Sequence, residues 1–290
     1  MSGARDTSWD DAPPSVGRWR IFARSHSAVV AAVILGVLAL LALLGGWLAP
    51  FDPDKVGAGA TMAWPGTIHP MGTDELGRDV FSRVLVGIRV SLLVGLGAAA
   101  VSTGLGVLVG GLAGFFGHLV DDLLMRVTEV FQVVPRFFLA ILLVAFFGAS
   151  IFNIILAIAV LSWPEVARIV RAEFLSLRGR QFVDAARVAG ASTATLIFIE
   201  ILPNALGPVV VNTTLQIGQA MLLEAGLSYL GLGDPSQVSL GLMLHQAQQI
   251  MRTAWWATAF PGLVIFLAVL SLNLVGDGLN DVLNPRSRDR

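Results

Sequence analysis

The chain has 290 residues, of which 55% are hydrophobic and only 13% are charged, and its formal net charge is −1. A soluble domain of this length rarely carries so few charges, so the composition predicts an integral membrane protein, and the near-neutral charge gives no indication of a nucleic-acid partner. The sequence contains no cysteine, which excludes disulfides, thiol catalysis and cysteine-ligated metal sites.

Six stretches are long and apolar enough to cross a bilayer, which requires about 20 residues each. They lie at 28–49, about 92–114, about 125–147, about 150–170, about 204–224 and about 257–279. We expect the third to run through Pro135 and the fourth to be interrupted at Pro164-Glu165. Glycine and proline are tolerated in such helices because neighbouring helices satisfy the freed backbone groups. The sequence therefore predicts an all-α integral membrane protein with six transmembrane helices.

The basic residues predict the orientation of these helices. If the N-terminus is cytoplasmic, thirteen of the nineteen Lys and Arg residues fall in cytoplasmic segments and five fall outside, with Arg136 within a helix. Both termini are therefore expected in the cytoplasm, as tails at 1–27 and 281–290, together with the stretch 171–203. Three arginines on the external side are expected along an interfacial amphipathic helix: Arg78, Arg83 and Arg89.

The stretch DAARVAGASTATLIFIEILPN, residues 184–204, is polar for its position between two apolar segments. Gly190 is expected to end a short helix, because glycine accepts the left-handed geometry of a helix stop. Ser192 is a suitable N-cap for a second, apolar helix, and Pro203 is suited to the start of the fifth spanning helix. These features describe a rigid elbow for docking a partner, although an ordinary loop between helices fits the spacing equally well.

D-A-A-x-x-x-G followed by I-L-P resembles the EAA loop of ABC-importer permeases. In that family a short helix sits in a groove of the ATP-binding subunit and couples hydrolysis to transport. The resemblance implies an ATPase-coupling interface formed by seven residues: Phe182, Val183, Asp184, Ala185, Ala186, Arg187 and Gly190. Aspartate replaces the usual glutamate, and the isoleucine position of the pattern falls at Glu200. Blocks at 69–92, 222–233 and 273–286 resemble the dipeptide/oligopeptide/nickel branch of these permeases.

The resemblance implies a type I ABC importer permease core with one extra N-terminal helix. Its segments would be a first transmembrane helix with an external segment at 28–88, and a permease domain at 89–280 containing the coupling loop at about 180–203. The implied partners are a second homologous permease, two ATP-binding subunits and an extracytoplasmic solute-binding protein, in a bacterial cell membrane.

The implied role is non-catalytic. The only lysine, Lys55, lies outside any Gly-Lys-Ser/Thr motif, so the chain has no P-loop, and ATP and Mg would be used by the partner subunits. The resemblance implies no cofactor or metal on this chain. Peptides are the expected solutes, with nickel complexes, glutathione or opines as alternatives. An ion-coupled secondary transporter is a remote alternative that usually shows an internal repeat. An intramembrane enzyme would need convergent acid, base or metal groups, whereas the four histidines are scattered.

The fifth predicted span carries polar residues that define a candidate translocation path. Asn212, Gln216 and Gln219 are spaced i, i+4 and i+7, which places three amides on one helix face. They either line a path, since amides donate and accept hydrogen bonds, or join packed helices. Glu224, near the outer end of this helix, is either a functional group or part of a structural pair.

Overall fold

A computed structural model describes residues 22–23 and 25–283 of the chain. Its regular structure in these ranges is helical, with one isolated antiparallel bridge between Thr73 and Asp79. The helices are α1 (His26–Leu48), α2 (Val80–Phe116), α3 (His118–Val133), α4 (Arg136–Phe147), α5 (Ile151–Leu177), α6 (Gln181–Val188), α7 (Thr193–Leu232), α8 (Leu240–Ala247) and α9 (Trp256–Leu283). The predicted tails lie largely outside the described residues, and so do all of their arginines.

The predicted number of spanning helices agrees with the structure. In the described part of the chain, α1, α2, α5, α7 and α9 are each long and apolar enough to cross a membrane, and α3 with α4 makes a sixth if the bent pair is one span. α2 begins at Val80, twelve residues before the predicted start of the second span near residue 92. The boundary expected between 88 and 89 therefore falls inside a helix.

The third predicted span is broken rather than straight. α3 and α4 meet at an angle of 85° at a break that contains Val134 and Pro135. Proline lacks the N–H that a continuing helix would use and disfavours helical geometry at the preceding residue. Val134 accordingly has extended backbone angles, φ −89° and ψ 134°.

The fourth predicted span, in contrast, is not interrupted. α5 is one helix of 27 residues that contains Pro164 in its interior. Pro164 is buried against neighbouring helices, and packing of this kind allows a spanning helix to accept proline. The helix also extends to Leu177, beyond the predicted end near residue 170.

α2 and α5 pack along a seam of glycines spaced four residues apart. A Cβ added to Gly110 would overlap the Ala167 carbonyl oxygen, and one added to Gly114 would lie 2.6 Å from the Phe174 Cβ. Gly106 faces Val166 in the same way. Small residues at this spacing let two helix backbones approach closely in a membrane.

The helix predicted after Ser192 is not separate from the fifth span. α7 is one helical path of 40 residues, Thr193–Leu232. A π-helical turn at Leu196–Ile201 precedes Pro203, and the Leu202 N–H donates to the Ile197 carbonyl across this turn. The wider turn accommodates the proline, so the chain enters the spanning helix without a loop. The predicted N-cap is confirmed, since Ser192 Oγ accepts from the Thr195 N–H at 3.2 Å.

The segment 49–79 is tied to the helices by polar contacts. Trp256 Nε1 donates to the Thr73 carbonyl at 3.0 Å, and the indole is fully buried. His69 Nδ1 lies 2.8 Å from Asp79 Oδ1, while Asp79 Oδ2 accepts from the Ser82 N–H at 2.8 Å and caps α2. The segment is therefore a folded part of the molecule.

The predicted interfacial amphipathic helix for three arginines is wrong. Arg78 precedes α2, and its Nε donates to Asp74 Oδ2 at 2.6 Å. Arg83 is buried in the first turn of α2 and donates to Gln246 Oε1 at 2.9 Å, as Arg78 does at 3.1 Å. Arg89, on the same helix, is exposed. The two buried guanidinium groups are satisfied by hydrogen bonds within the protein. They therefore do not require a position at the membrane–water interface.

Candidate functional site

The short helix α6 forms the centre of the predicted coupling interface. Its eight residues, QFVDAARV, include one side chain that is fully buried, Val183. Val183 packs in a cluster with Val166 and Phe174 of α5 and Ile201 and Val209 of α7. One apolar anchor thus attaches α6 to two spanning helices.

The C-terminus of α6 is closed by a glycine stop, as predicted. Gly190 has a φ of +85°, in the left-handed region. The Gly190 N–H donates to the Arg187 carbonyl at 3.1 Å, and the Ala191 N–H donates to the Ala186 carbonyl at 3.0 Å. This pair of bonds is the Schellman motif, in which the left-handed residue satisfies the last carbonyls of the helix.

Around its buried anchor, α6 exposes three apolar and two charged side chains. We call this surface the α6 patch and define it by five exposed residues: Phe182, Asp184, Ala185, Arg187 and Val188. Arg187 donates to Asp184 Oδ1 at 2.8 Å, an exposed pair that leaves the alanine between them open. The exposed apolar side chains of the α6 patch are suited to contact with another protein.

The structure distinguishes among the residues predicted for this interface. Phe182, Asp184, Ala185 and Arg187 are on the α6 patch, whereas Val183 points into the permease and Ala186 is half-buried beside it. Val188 was not predicted, yet it is 90% exposed and belongs to the patch. Its position three residues after Ala185 would have placed it on the same helix face.

The three amide residues predicted on one face of α7 differ in burial and in hydrogen bonding. Gln216 is buried, accepts from Ser102 Oγ at 2.9 Å and donates to the Ser162 carbonyl at 3.3 Å, so it joins α7 to α2 and α5. Gln219 is exposed. The Oδ1 atom of Asn212 is buried and has no hydrogen-bond partner among the residues that the structure describes.

Glu224 is enclosed by hydroxyl groups. It is 2% exposed, and its carboxylate accepts from Ser91 Oγ at 3.1 Å and from Ser228 Oγ at 2.7 Å. The Leu240 N–H at the start of α8 donates to the same Ser91 Oγ at 3.4 Å. Glu224 therefore connects α7, α2 and α8 in this structure.

A second group of charges lies between α3 and α5. The sequence suggests a pair between Asp122 and Arg126 within one helix. The structure instead pairs Asp121 with Arg171, through bonds of 2.5 and 2.6 Å to the two carboxylate oxygens. A two-bond arginine–carboxylate contact fixes geometry as well as charge, and here it joins two helices. Spacing within one helix could not reveal this partner.

Comparison with known proteins identifies the family. Residues 106–289 match the family described as "Binding-protein-dependent transport system inner membrane component", and residues 14–65 match the "N-terminal TM domain of oligopeptide transport permease C". The chain is similar in fold to a chain of the solved methionine ABC transporter MetNI in an inward-facing conformation, with a TM-score of 0.56 and 17% identity, covering 70% of this chain and 96% of that one.

Characterised relatives cover nearly the whole chain. The di/tripeptide transport system permease protein DppC of Pseudomonas aeruginosa is 37% identical over 278 residues, which are 93% of this chain and 92% of that protein. The glutathione transport system permease protein GsiD of an Escherichia coli O6:K15:H31 strain is 41% identical over 275 residues, 92% of this chain and 89% of that protein. The chain therefore belongs to the family of binding-protein-dependent transport system inner membrane components, and it is a multi-pass inner-membrane permease of the ABC importer type.

Proposed function

We propose that this chain is the peptide-conducting permease subunit of an ATP-driven importer, paired with a second homologous permease. A solute-binding protein would deliver di- or oligopeptides to the pair, and two ATP-binding subunits would power transport with ATP and Mg. The observation that carries the proposal is the set of relatives named for di/tripeptide and glutathione transport, which match the chain almost end to end. Glutathione is itself a tripeptide and falls within the same solute class.

Coupling to ATP hydrolysis is proposed to occur at the α6 patch. Phe182, Ala185 and Val188 would contact a groove on the ATPase, with Asp184 and Arg187 at its edge. Because Val183 is buried in one cluster with α5 and α7, a displacement of α6 would move both spanning helices. The chain would thereby transmit the work of ATP hydrolysis without catalysing any reaction itself.

The proposed orientation follows from the same contact. The α6 patch must face the cytoplasm to meet an ATPase, which requires cytoplasmic termini given the number of spans. The arginine bias supports this orientation. Segment 49–79 and α8 then lie on the outer side, where a solute-binding protein arrives.

The proposed path includes the polar residues of α7 that remain open. Gln219 is exposed, and Asn212 has a buried acceptor without a partner, so both are able to contact a passing solute. Gln216 and Glu224 are already occupied by interhelical hydrogen bonds. For these two we propose a supporting position beside the path.

The test is purification of the complex followed by transport in proteoliposomes. We expect a second permease and P-loop subunits to co-purify in stoichiometric amounts, and a labelled dipeptide to enter only with ATP and its binding protein. Ala185→Glu should abolish uptake and binding-protein-stimulated ATP hydrolysis while the chain still inserts. Ala185→Ser keeps the side chain small and is the matched control. ATP-independent uptake by the purified chain alone would contradict the proposal and favour a secondary transporter.

A further inference from the structure

The most unusual charges in the molecule are an ion pair inside the spanning region. Arg136, the first residue of α4, donates to Glu165 Oε2 at 2.9 Å. Glu165 lies near the middle of the 27-residue helix α5. At a rise of 1.5 Å per residue, it is about 20 Å from either helix end. The pair therefore lies inside α5 rather than at its ends, about five residues before the predicted end of the fourth span near residue 170.

Both side chains of the pair are about one-third exposed. The side chain of Arg136 is 34% exposed and that of Glu165 is 32% exposed. Charged side chains at membrane depth are costly in lipid and almost always face the bundle interior or a water-filled cavity. Facing hydrocarbon would leave both charges poorly solvated, so we expect this surface to face water or protein rather than lipid.

The surroundings support an aqueous route. A cavity of about 510 Å³ lies between α3 and α5 on the cytoplasmic side of the pair. Its lining is mainly charged and amide side chains: Asp122, Arg126, Glu129, Gln132, Arg168 and Arg171. Gln132 and Arg168 of this lining are four and three residues from Arg136 and Glu165, and the lining extends from there toward the cytoplasmic ends of both helices.

Two amide atoms on neighbouring helical segments lack hydrogen-bond partners among the described residues. Gln132 is four residues before Arg136, and its Nε2 is buried without a hydrogen-bond partner among the described residues. Asn212, whose Oδ1 is also unpartnered, is one turn before Gln216 on the same face of α7. Gln216 contacts Ser162 of α5, and the two helices run antiparallel, so Asn212 is level with Glu165.

We propose that Arg136 and Glu165 form a charged binding site in the translocation path. Arg136 binds the terminal carboxylate of a passing peptide, and Glu165 binds its terminal ammonium. This inference rests on the proposed function and assigns the solute contacts to α4 and α5. Arginine binds carboxylates through paired, charge-assisted hydrogen bonds, and glutamate accepts from an ammonium. Gln132 donates to a peptide carbonyl, and Asn212 accepts from a peptide N–H. Without solute, the two charges neutralise each other.

A first experiment asks whether the pair faces water. Because the chain has no cysteine, each single substitution introduces the only thiol of this subunit, and the unsubstituted complex measures labelling of the partner subunits. Arg136→Cys and Glu165→Cys, in the complete complex in liposomes, should react with a membrane-impermeant charged methanethiosulfonate. Val37→Cys, on a 50% exposed position near the middle of α1, is the lipid-facing control and should not react. Equal, low reactivity at all three positions with and without ATP would overturn the proposal.

A second experiment distinguishes a solute-binding site from an ion pair that only joins two helices. Uptake of a dipeptide and of its C-terminal amide is compared, each delivered by saturating amounts of loaded binding protein. Arg136→Gln should slow the free dipeptide by roughly 10- to 100-fold, the loss expected for one charged hydrogen-bonding partner, and should remove the preference over the amide. Glu165→Gln should slow both solutes and keep that preference.

The double variant Arg136→Gln/Glu165→Gln gives the clearest decision. A structural ion pair can be replaced by two neutral groups with little loss, so recovery of dipeptide uptake in the double variant would overturn the proposal. A solute site predicts that the double variant is at least as slow as either single variant. Failure of the proposed function gives a different result, because the unmodified complex would then import neither the dipeptide nor its amide.

Discussion

The glycine that ends α6 gives a sharp test of how the coupling element works. Gly190 has a φ of +85°, and a Cβ added there would meet no heavy atom within 4 Å. Gly190→Ala therefore introduces no clash, and its cost is purely that of the left-handed backbone, about 1–2 kcal/mol for a residue with a Cβ. That free energy lowers the equilibrium constant between the closed and the open helix stop by a factor of roughly 5–30.

If the ATPase binds only the closed form of α6, its affinity for the permease should fall by up to the same factor, in proportion to the fraction of closed form that is lost. The measurement is titration of purified ATPase subunit onto the permease in nanodiscs, with binding-protein-stimulated ATP hydrolysis as the second readout. Gly190→Val should be worse than Gly190→Ala, because a β-branched residue is strongly disfavoured at positive φ.

Gly179 provides a matched control at the other end of α6. Its φ is outside the left-handed region, and a Cβ there also meets open space. Gly179→Ala should therefore leave ATPase affinity unchanged. An unaltered affinity in Gly190→Val, or an equal loss in Gly179→Ala, would refute the argument that the left-handed stop positions the α6 patch.

Three further outcomes are expected. Trp256→Phe removes the hydrogen bond to the Thr73 carbonyl and should cost about 0.5–1.5 kcal/mol, seen as earlier proteolysis of segment 49–79. Glu224→Leu leaves buried hydroxyls without an acceptor and should cost about 1–3 kcal/mol in thermal unfolding in detergent, whereas Glu224→Gln retains an acceptor and should cost less. Gly110→Ala should cost about 1–3 kcal/mol by overpacking the α2–α5 seam, while Gly104→Ala, facing open space, should be neutral in the same assay.

Features governed by local chemistry were predictable from the sequence. The stop at Gly190 and the cap at Ser192 depend on a few neighbouring residues, and the structure has both. The spanning segments follow from the length of apolar runs, which bilayer thickness dictates. The family motifs placed α6 correctly, but the burial of Val183 depends on α5 and α7 packing against it.

Features that depend on distant partners were not predictable. Pro135 and Pro164 look alike in sequence, yet one breaks a span by 85° and the other lies inside a continuous helix. Whether neighbouring helices enclose a proline decides between these outcomes. Arg83 was predicted on an interfacial helix because its partner Gln246, 163 positions away in sequence, could not be identified from local spacing.

The glycine seam between α2 and α5 has a mechanical consequence. Where two helix backbones are in direct contact, no side-chain rotamers lie between them to rearrange. We therefore expect α2 and α5 to move as one rigid body. The buried Val183 of α6 packs in one cluster with Val166 and Phe174 of α5, and thus against the same rigid body. Bending during a transport cycle is then left to the Pro135 break and the π-helical turn of α7, where the regular helix geometry is interrupted.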